Sequence, residues 1–471
     1  MSREKEFVKN TFILSLGRFL PKLSSLVTLP ILTACLTKAE YGYYDLITTL
    51  VMLVIPIATL MIQTAAFRFL IDCRGDKKES SRIITNIFFV TIPISIVASI
   101  VIQFFFPSLS MWNRVLIAVY FFVDTIHLTL GQVTRGVGNN PAYSVGAVLL
   151  SLTNMIMVIV FVLWLNQGLL GVVIALAVAN LLGSLYMAFR IHLMQYLNLK
   201  LFDPALIREL LAYSWPMVPN NLSAWVLKLS DRLVITGFLG IEANATYAVA
   251  NKLPNLLSIV QSVMVMAWQE NASIASGDED VKEYYSKMLD RVYHIMFGFT
   301  ALLIAGTPIL FKLLINSKYD EAYDQMPILI LAVFFSMMSS FFGGIYVAHK
   351  KTVNVGVTTM VAAAINLAID FALVNVIGIW AGSVSTLAAY LFLYIYRMFN
   401  CQKFQPLDIK YLKHIICGLI LIGMLLMCFL QMLVFNIINI VLGIAIFIVF
   451  NKDLFLKAYI KLLKRKSKSA K

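Results

Sequence analysis

Charge is scarce in this sequence. Only 13% of its 471 residues are Asp, Glu, Lys or Arg, against about a quarter in a soluble domain, and 60% are hydrophobic. Mean hydropathy is +0.84. So much apolar surface cannot be hidden in one water-bounded core, which excludes a soluble enzyme, a nucleic-acid binder and a disordered chain. Cysteine is scarce too. Cys35, Cys73, Cys401, Cys417 and Cys428 are odd in number, scattered and without a CxxC pair, so they are apolar fillers and neither a disulfide framework nor a metal site. Also absent are a GxxxxGK[ST] phosphate loop, an HExxH helix and paired Cys/His ligands. The Gly136 and Gly138 stretch lacks the third glycine of a dinucleotide loop. Any work this chain does must draw on ion gradients, membrane potential or the gradient of a cargo.

Long hydrophobic runs fill the space left by these absences. A bilayer core of roughly 30 Å takes about 20 apolar residues in a helix. That length predicts spans near 11–34, 46–66, 83–106, 115–132, 143–165, 168–189 and 214–238. Seven more follow near 245–268, 292–311, 325–348, 356–377, 379–396, 414–432 and 434–450. The first run has no small-residue cleavage site and is expected to be retained. Cytoplasmic membrane segments favour Lys and Arg. With a cytoplasmic N-terminus, 29 of the 38 basic residues fall on that side, and only Lys38, Arg114, Lys312 and Lys318 fall in outer loops. The net charge of +14 is therefore almost wholly a topology signal.

The expected fold is an all-α polytopic membrane protein of about 14 transmembrane helices, in two pseudo-symmetric bundles around a central cavity. The expected segments are an N-terminal bundle (1–190), a cytoplasmic linker with an interfacial helix (191–213), a C-terminal bundle (214–400), and two peripheral helices with a basic tail (401–471). Within the linker, Asp203 followed by Pro204 reads as an N-cap and first helical position. An internal repeat supports the two bundles: 36–44 aligns with 239–247, with Leu36 on Leu239, Tyr44 on Tyr247 and Gly42 facing Ala245. Paired repeats of this kind build many transporters.

The informative residues are charges inside the spans. Each costs something like 2.5–3.5 kcal/mol at a helix centre and should face a cavity or a partner. Arg18 and Lys22 are four apart on span 1, and Lys228 and Arg232 are four apart on span 7, so each pair shares one helix face. Lys252 lies in span 8. These five form the candidate anion-binding set. Snorkelling is the bland alternative for Arg18, and a local ion pair between Asp231 and Lys228 is another. Asp124, Asp231 and Asp370 are candidates to hold a coupled H⁺ or Na⁺. Asp124 and His127 share a face, as do Asn366 and Asp370, and each pair either carries an ion or ties helices together. Prolines in the spans, among them Pro21, Pro56, Pro93, Pro216, Pro254 and Pro308, mark places where a helix bends or breaks.

Two stretches resemble a known family. One runs from Arg18 through Pro21, Lys22 and Pro30 to Lys38, Glu40, Gly42 and Tyr44. The other runs from Leu210 through Trp215, Pro216 and Pro219 to Asp231, Arg232, Gly240 and Tyr247. Both resemble the polysaccharide-transport family, the O-antigen and capsule repeat-unit flippases of the multidrug/oligosaccharidyl-lipid/polysaccharide exporter superfamily. Arg135 and Tyr143 fit that family's loop after span 4, although Gly138, Asn139 and Asn140 depart from its more charged pattern.

The resemblance implies alternating access between two six-helix bundles in the bacterial cytoplasmic membrane, with the last two helices peripheral. The implied cargo is an undecaprenyl-diphosphate-linked glycan moved from the cytoplasmic to the outer leaflet. The implied partners are the lipid bilayer and a polysaccharide polymerase with its assembly proteins, without nucleic acid. No catalytic residue, metal or organic cofactor is expected, and the chain is not expected to be an enzyme. Alternatives are a peptidoglycan-precursor (lipid II) flippase, a multidrug/cation antiporter, and, from a different class, a membrane polymerase or ligase. The short outer loops oppose that last alternative.

Overall fold

A computed structural model describes residues 24–469, with side chains described except at 263, 266, 267 and beyond 452. All regular secondary structure among these residues is helical: α1 (Ser24–Cys35), α2 (Lys38–Thr59), α3 (Ile62–Asp72), α4 (Lys77–Ile102), α5 (Met111–Gly136), α6 (Asn140–Met157), α7 (Gly168–Arg190), α8 (Pro204–Ser214) and α9 (Met217–Leu239). Then come α10 (Ile241–Ala250), α11 (Pro254–Ala275), α12 (Val281–Leu314), α13 (Gln325–Ala348), α14 (Thr352–Ile377), α15 (Trp380–Cys401), α16 (Tyr411–Phe429) and α17 (Leu433–Ser469).

Ten of these helices are long and apolar enough to cross a membrane: α2, α4, α5, α6 with its last π-helical turn, α7, α12, α13, α14, α16 and α17. The other four expected spans fall on α1, α9, the α10–α11 pair and α15. Of span 1 only α1 is described, α10–α11 is broken, and α9 and α15 carry charged and polar residues. The α10–α11 break at 251–253 precedes Pro254, which has no N–H to give the helical ladder. The fold is thus an all-α polytopic membrane architecture of about fourteen helices.

The chain divides into two compact units, residues 1–245 with 314–316, and residues 246–313 with 317–471. In the first unit α5 packs on α7 and α7 on α6, while α3 and α4 cover α5 and α9 lies against α2. One apolar core gathers Ile47, Val51, Ile102, Phe121 and Val173, and a second gathers Ile62, Leu70, Ile87, Val133 and Met187. Span 2 is interrupted, because Leu60 and Met61 both adopt left-handed backbone (φ 47° and 56°) and separate α2 from α3. The linker helix α8 starts where expected, with the Asp203 side chain accepting from the backbone N–H of Ala205 and Leu206.

In the second unit α13 is the central helix. Its apolar window is 83% buried, against 17% for α17, so one is surrounded by protein and the other faces lipid. Phe297, Phe334, Met337, Phe341 and Phe342 form the core around it. Trp268 stacks on Phe341 at 4.2 Å and donates its indole N–H to the Phe341 carbonyl at 2.8 Å.

Candidate functional site

The first unit holds a charged cluster where α2 meets α9. It exists because α2 starts early. Thr37 and Glu40 form a capping box: the Glu40 backbone N–H donates to Thr37 Oγ1 at 3.2 Å, and the Thr37 backbone N–H donates to the Glu40 carboxylate at 2.9 Å. The helix therefore begins at Lys38, and Asp45, which the hydropathy reading leaves in an outer loop before a span at 46, sits two turns inside it. Asp45 is only 3% exposed.

Arg232 reaches Asp45 from α9, with Nε 3.2 Å from Oδ2, and Nη1 donates to Thr49 Oγ1 at 3.2 Å. Trp225, two turns earlier on α9, donates to the Thr49 carbonyl at 3.2 Å and fixes the register of the two helices. The ion pair is close but misaligned, since neither Arg232 Nε nor Asp45 Oδ2 completes a hydrogen bond. Arg232 is thus neutralised by a buried carboxylate against which its buried Nε lies, and its Nη2 makes no hydrogen bond among the described residues. A guanidinium with free donors is the group that grips two oxygens of a phosphate at once.

The two halves of the internal repeat meet beside this pair. Asn244 donates its side-chain amide to the Gly42 carbonyl at 3.3 Å, and a Cβ at Gly42 would run into the backbone carbonyl of Ile241. Glycine is required there by close backbone approach, not by an unusual φ.

The remaining expected residues divide as follows. Arg18 and Lys22 lie outside the described residues. Lys228 is exposed on α9 and joins no ion pair among the described residues, whereas Asp231 is buried at 1%. Lys252 is half-buried in the turn between α10 and α11. Asp124 is half-buried on α5, and its neighbour His127 places Nδ1 3.2 Å from Ser184 Oγ on α7.

In the second unit Asp370 belongs to a buried polar chain. Asn366 Nδ2 donates to Ser385 Oγ at 3.1 Å, and Ser385 Oγ donates to Asp370 Oδ1 at 2.8 Å. All three residues are at most 1% exposed. Nearby, Ser383 of α15 donates to Gln325 Oε1 of α13 at 2.6 Å. A carboxylate, an amide oxygen and a hydroxyl are the hard oxygen donors that a small cation or a proton takes. Among the described residues no three His, Cys, Asp or Glu side chains group as metal ligands.

Arg397 on α15 escaped the sequence reading, which placed it just past span 12 among cytoplasmic basic residues. It is 4% exposed. Nε and Nη2 donate to Thr358 Oγ1 at 3.0 and 2.9 Å, and Nη2 also reaches Thr359 Oγ1 at 3.0 Å and the Val355 carbonyl at 3.1 Å. Nη1 donates to the Ser339 carbonyl at 3.3 Å. No carboxylate pairs with it among the described residues. The sequence signal was the small-polar pair Thr358-Thr359 one helix away, which periodicity alone does not connect to it.

A membrane fold of long apolar helices, with an arginine and a carboxylate facing each other inside it, defines a class of polytopic protein that handles charge within a bilayer. The sequence profile of one family, described as polysaccharide biosynthesis protein, matches residues 7–269. The chain belongs to that polysaccharide biosynthesis protein family. No curated protein matches in sequence.

Among solved structures the chain is similar to an inward-facing multidrug resistance MATE family transporter of the MOP superfamily. The TM-score is 0.70 at 14% identity, covering 83% of this chain and 98% of that one. A MOP superfamily transporter from Pyrococcus furiosus, whose binding pocket is described as having reverse polarity, superposes with a TM-score of 0.60 at 14% identity, over 84% and 95% of the two chains. A MATE protein in complex with MaL6 gives 0.57 at 15% identity, over 84% and 96%. At these identities the likeness establishes the fold.

Proposed function

We propose that this protein is a flippase that moves an undecaprenyl-diphosphate-linked oligosaccharide repeat unit from the cytoplasmic to the outer leaflet by alternating access. Arg232 carries the reading: a guanidinium inside an apolar helix, matched to one misaligned carboxylate and keeping a donor unspent, suits an anionic cargo. Lys228, Lys252, Arg18 and Lys22 complete the anion-binding set. Membership of a polysaccharide biosynthesis family supports the glycan. An inside-negative potential drives an anion outward by about 2.3 kcal/mol per charge per 100 mV. The emptied basic site carries positive charge inward on its return, which the same potential favours, and a coupled cation adds the energy of its own gradient. Asp370 with Asn366 and Ser385, Asp124 and Asp231 are the candidate carriers of that H⁺ or Na⁺.

In this reading the protein sits in the bacterial cytoplasmic membrane with both termini inside and hands its product to a polymerase. It works as two bundles (1–190 and 214–400) joined by the 191–213 linker, with 401–471 peripheral, and it makes or breaks no covalent bond. The test is reconstitution of the full chain in liposomes with a fluorescent undecaprenyl-diphosphate oligosaccharide on one side. Protein-dependent exposure of the label on the other side is expected. Sugar-chain elongation without translocation would place the protein among polymerases instead, and selective movement of lipid II would make it a peptidoglycan-precursor flippase.

A further inference from the structure

At one end of the second unit, two apolar grooves run along the outer faces of α15 and α16. The first, about 360 Å³, is lined by Phe392, Ile395, Tyr396 and Phe399 and ends at Lys403. The second, about 650 Å³, is lined by Tyr411, Leu412, Ile416 and Ile420, with Phe450 of α17 on its far wall and Lys410 and Lys413 at its head. A single aromatic wall divides them, because Phe399 of the first groove stacks on Tyr411 of the second at 6.0 Å and 11°. Both floors are open: Ile395 is 41% exposed and Ile416 48%. Two apolar channels side by side, each with lysine at the same end, match a molecule with two chains and one anionic head.

The charges at that end support an anion. Asp290 of α12 takes Lys410 Nζ at 2.9 Å and Lys413 Nζ at 2.7 Å, so one carboxylate is shared by two ammoniums. Lys413 also contacts His294, and Asp408 is occupied by Lys282 at 2.8 Å. Lys403 is exposed and joins no ion pair among the described residues. Lys282, Lys287, Lys403, Lys410 and Lys413 against Glu283, Asp290 and Asp408 leave an excess of two positive charges at this end. A zwitterionic head would press its own ammonium against that excess. An anionic phosphodiester meets it, and basic pockets between membrane helices are where such heads bind.

We infer that this double groove is a binding site for one anionic glycerophospholipid, with an acyl chain on each side of the Phe399–Tyr411 wall and the phosphate among Lys403, Lys410 and Lys413. The site is separate from the charged cluster of α2 and α9 and does not depend on the identity of the cargo. An occupied groove would fill the exposed junction between α15 and the α16–α17 hairpin, giving the peripheral helices a lipid-dependent seat.

The test uses the full-length protein in nanodiscs of equal phosphatidylglycerol and phosphatidylethanolamine, released into detergent and weighed by native mass spectrometry. One phosphatidylglycerol per chain should be retained in preference to phosphatidylethanolamine. Lys403→Gln with Lys410→Gln should lower that retention by at least about tenfold, each surface lysine contributing on the order of a kilocalorie toward an anionic lipid. Ile416→Trp, which fills the second groove and leaves every lysine in place, should lower it as well. Lys312→Gln, remote from the grooves, should not. Equal retention of the two lipids, an equal loss in Lys312→Gln, or displacement of the lipid by inorganic phosphate alone would each overturn the inference.

Discussion

Arg232 of α9 and Arg397 of α15 are held in opposite ways. Arg397 has donors on all three of its nitrogens spent on neutral oxygens of α13 and α14, faces no carboxylate, and is 4% exposed. Arg232 faces Asp45 through its buried Nε at 3.2 Å and makes one hydrogen bond to Thr49, while its Nη2 makes none among the described residues. The first arrangement ties three helices together and is closed off from solvent. The second is neutralised yet unsaturated, as a group that must exchange partners has to be. A buried ionised residue is thus not by itself evidence of a binding site, and the state of its donors separates a tie from a site.

The largest effect is expected at the tie. Arg397→Ala removes a side chain that satisfies Thr358, Thr359 and two backbone carbonyls and opens a cavity beneath α15, so a loss above about 4 kcal/mol is expected. It should be read as missing folded protein in the membrane fraction and a lowered melting temperature. Arg232→Gln should cost less, about 3 kcal/mol, because it strands Asp45 buried and unpaired. Adding Asp45→Asn should restore most of that stability without restoring function. If the double variant stays as unstable as the single one, Arg232 is a tie like Arg397 and the contrast fails.

A smaller effect is expected from Gly42→Ala, which pushes α2 away from the Ile241 carbonyl and loosens the Asp45–Arg232 approach without touching the second unit. Overpacking of this kind costs about 1–3 kcal/mol. The smallest effect belongs to a third arginine, Arg82, paired with Asp203 at the surface of the linker. The hydrogen bond from Arg82, followed by that from the Leu206 backbone N–H, holds the Asp203 carboxyl below its ordinary pKa. Its contribution is present at neutral pH and is lost as pH falls through the lowered value. Asp203→Asn should therefore be weakly destabilising near pH 7 and indistinguishable from the parent in strong acid, as thermal melts across pH would report.

Much of the architecture was legible in the sequence, since span length depends only on the bilayer. The pairing of charges was less so. Asp45 was misplaced because hydropathy starts a span where apolar residues begin, whereas the Thr37–Glu40 capping box starts the helix at Lys38. That box was readable as Thr-x-x-Glu and would have put Asp45 on a helix. Arg397 looked like one more cytoplasmic cation because its partners are neutral and lie on other helices. Local periodicity carries no trace of such a contact. Gly42, aligned with Ala245 by the repeat, proved to touch Ile241 and Asn244 directly, a tertiary fact that an alignment of repeats does not contain.

The central claim is that Arg232 grips the anionic head of the cargo. The direct measurement is translocation of an undecaprenyl-diphosphate oligosaccharide in proteoliposomes by the Asp45→Asn/Arg232→Gln double variant, after its melting temperature has been matched to the parent. The account predicts a folded protein that moves no lipid-linked sugar. Translocation at the parental rate would contradict it.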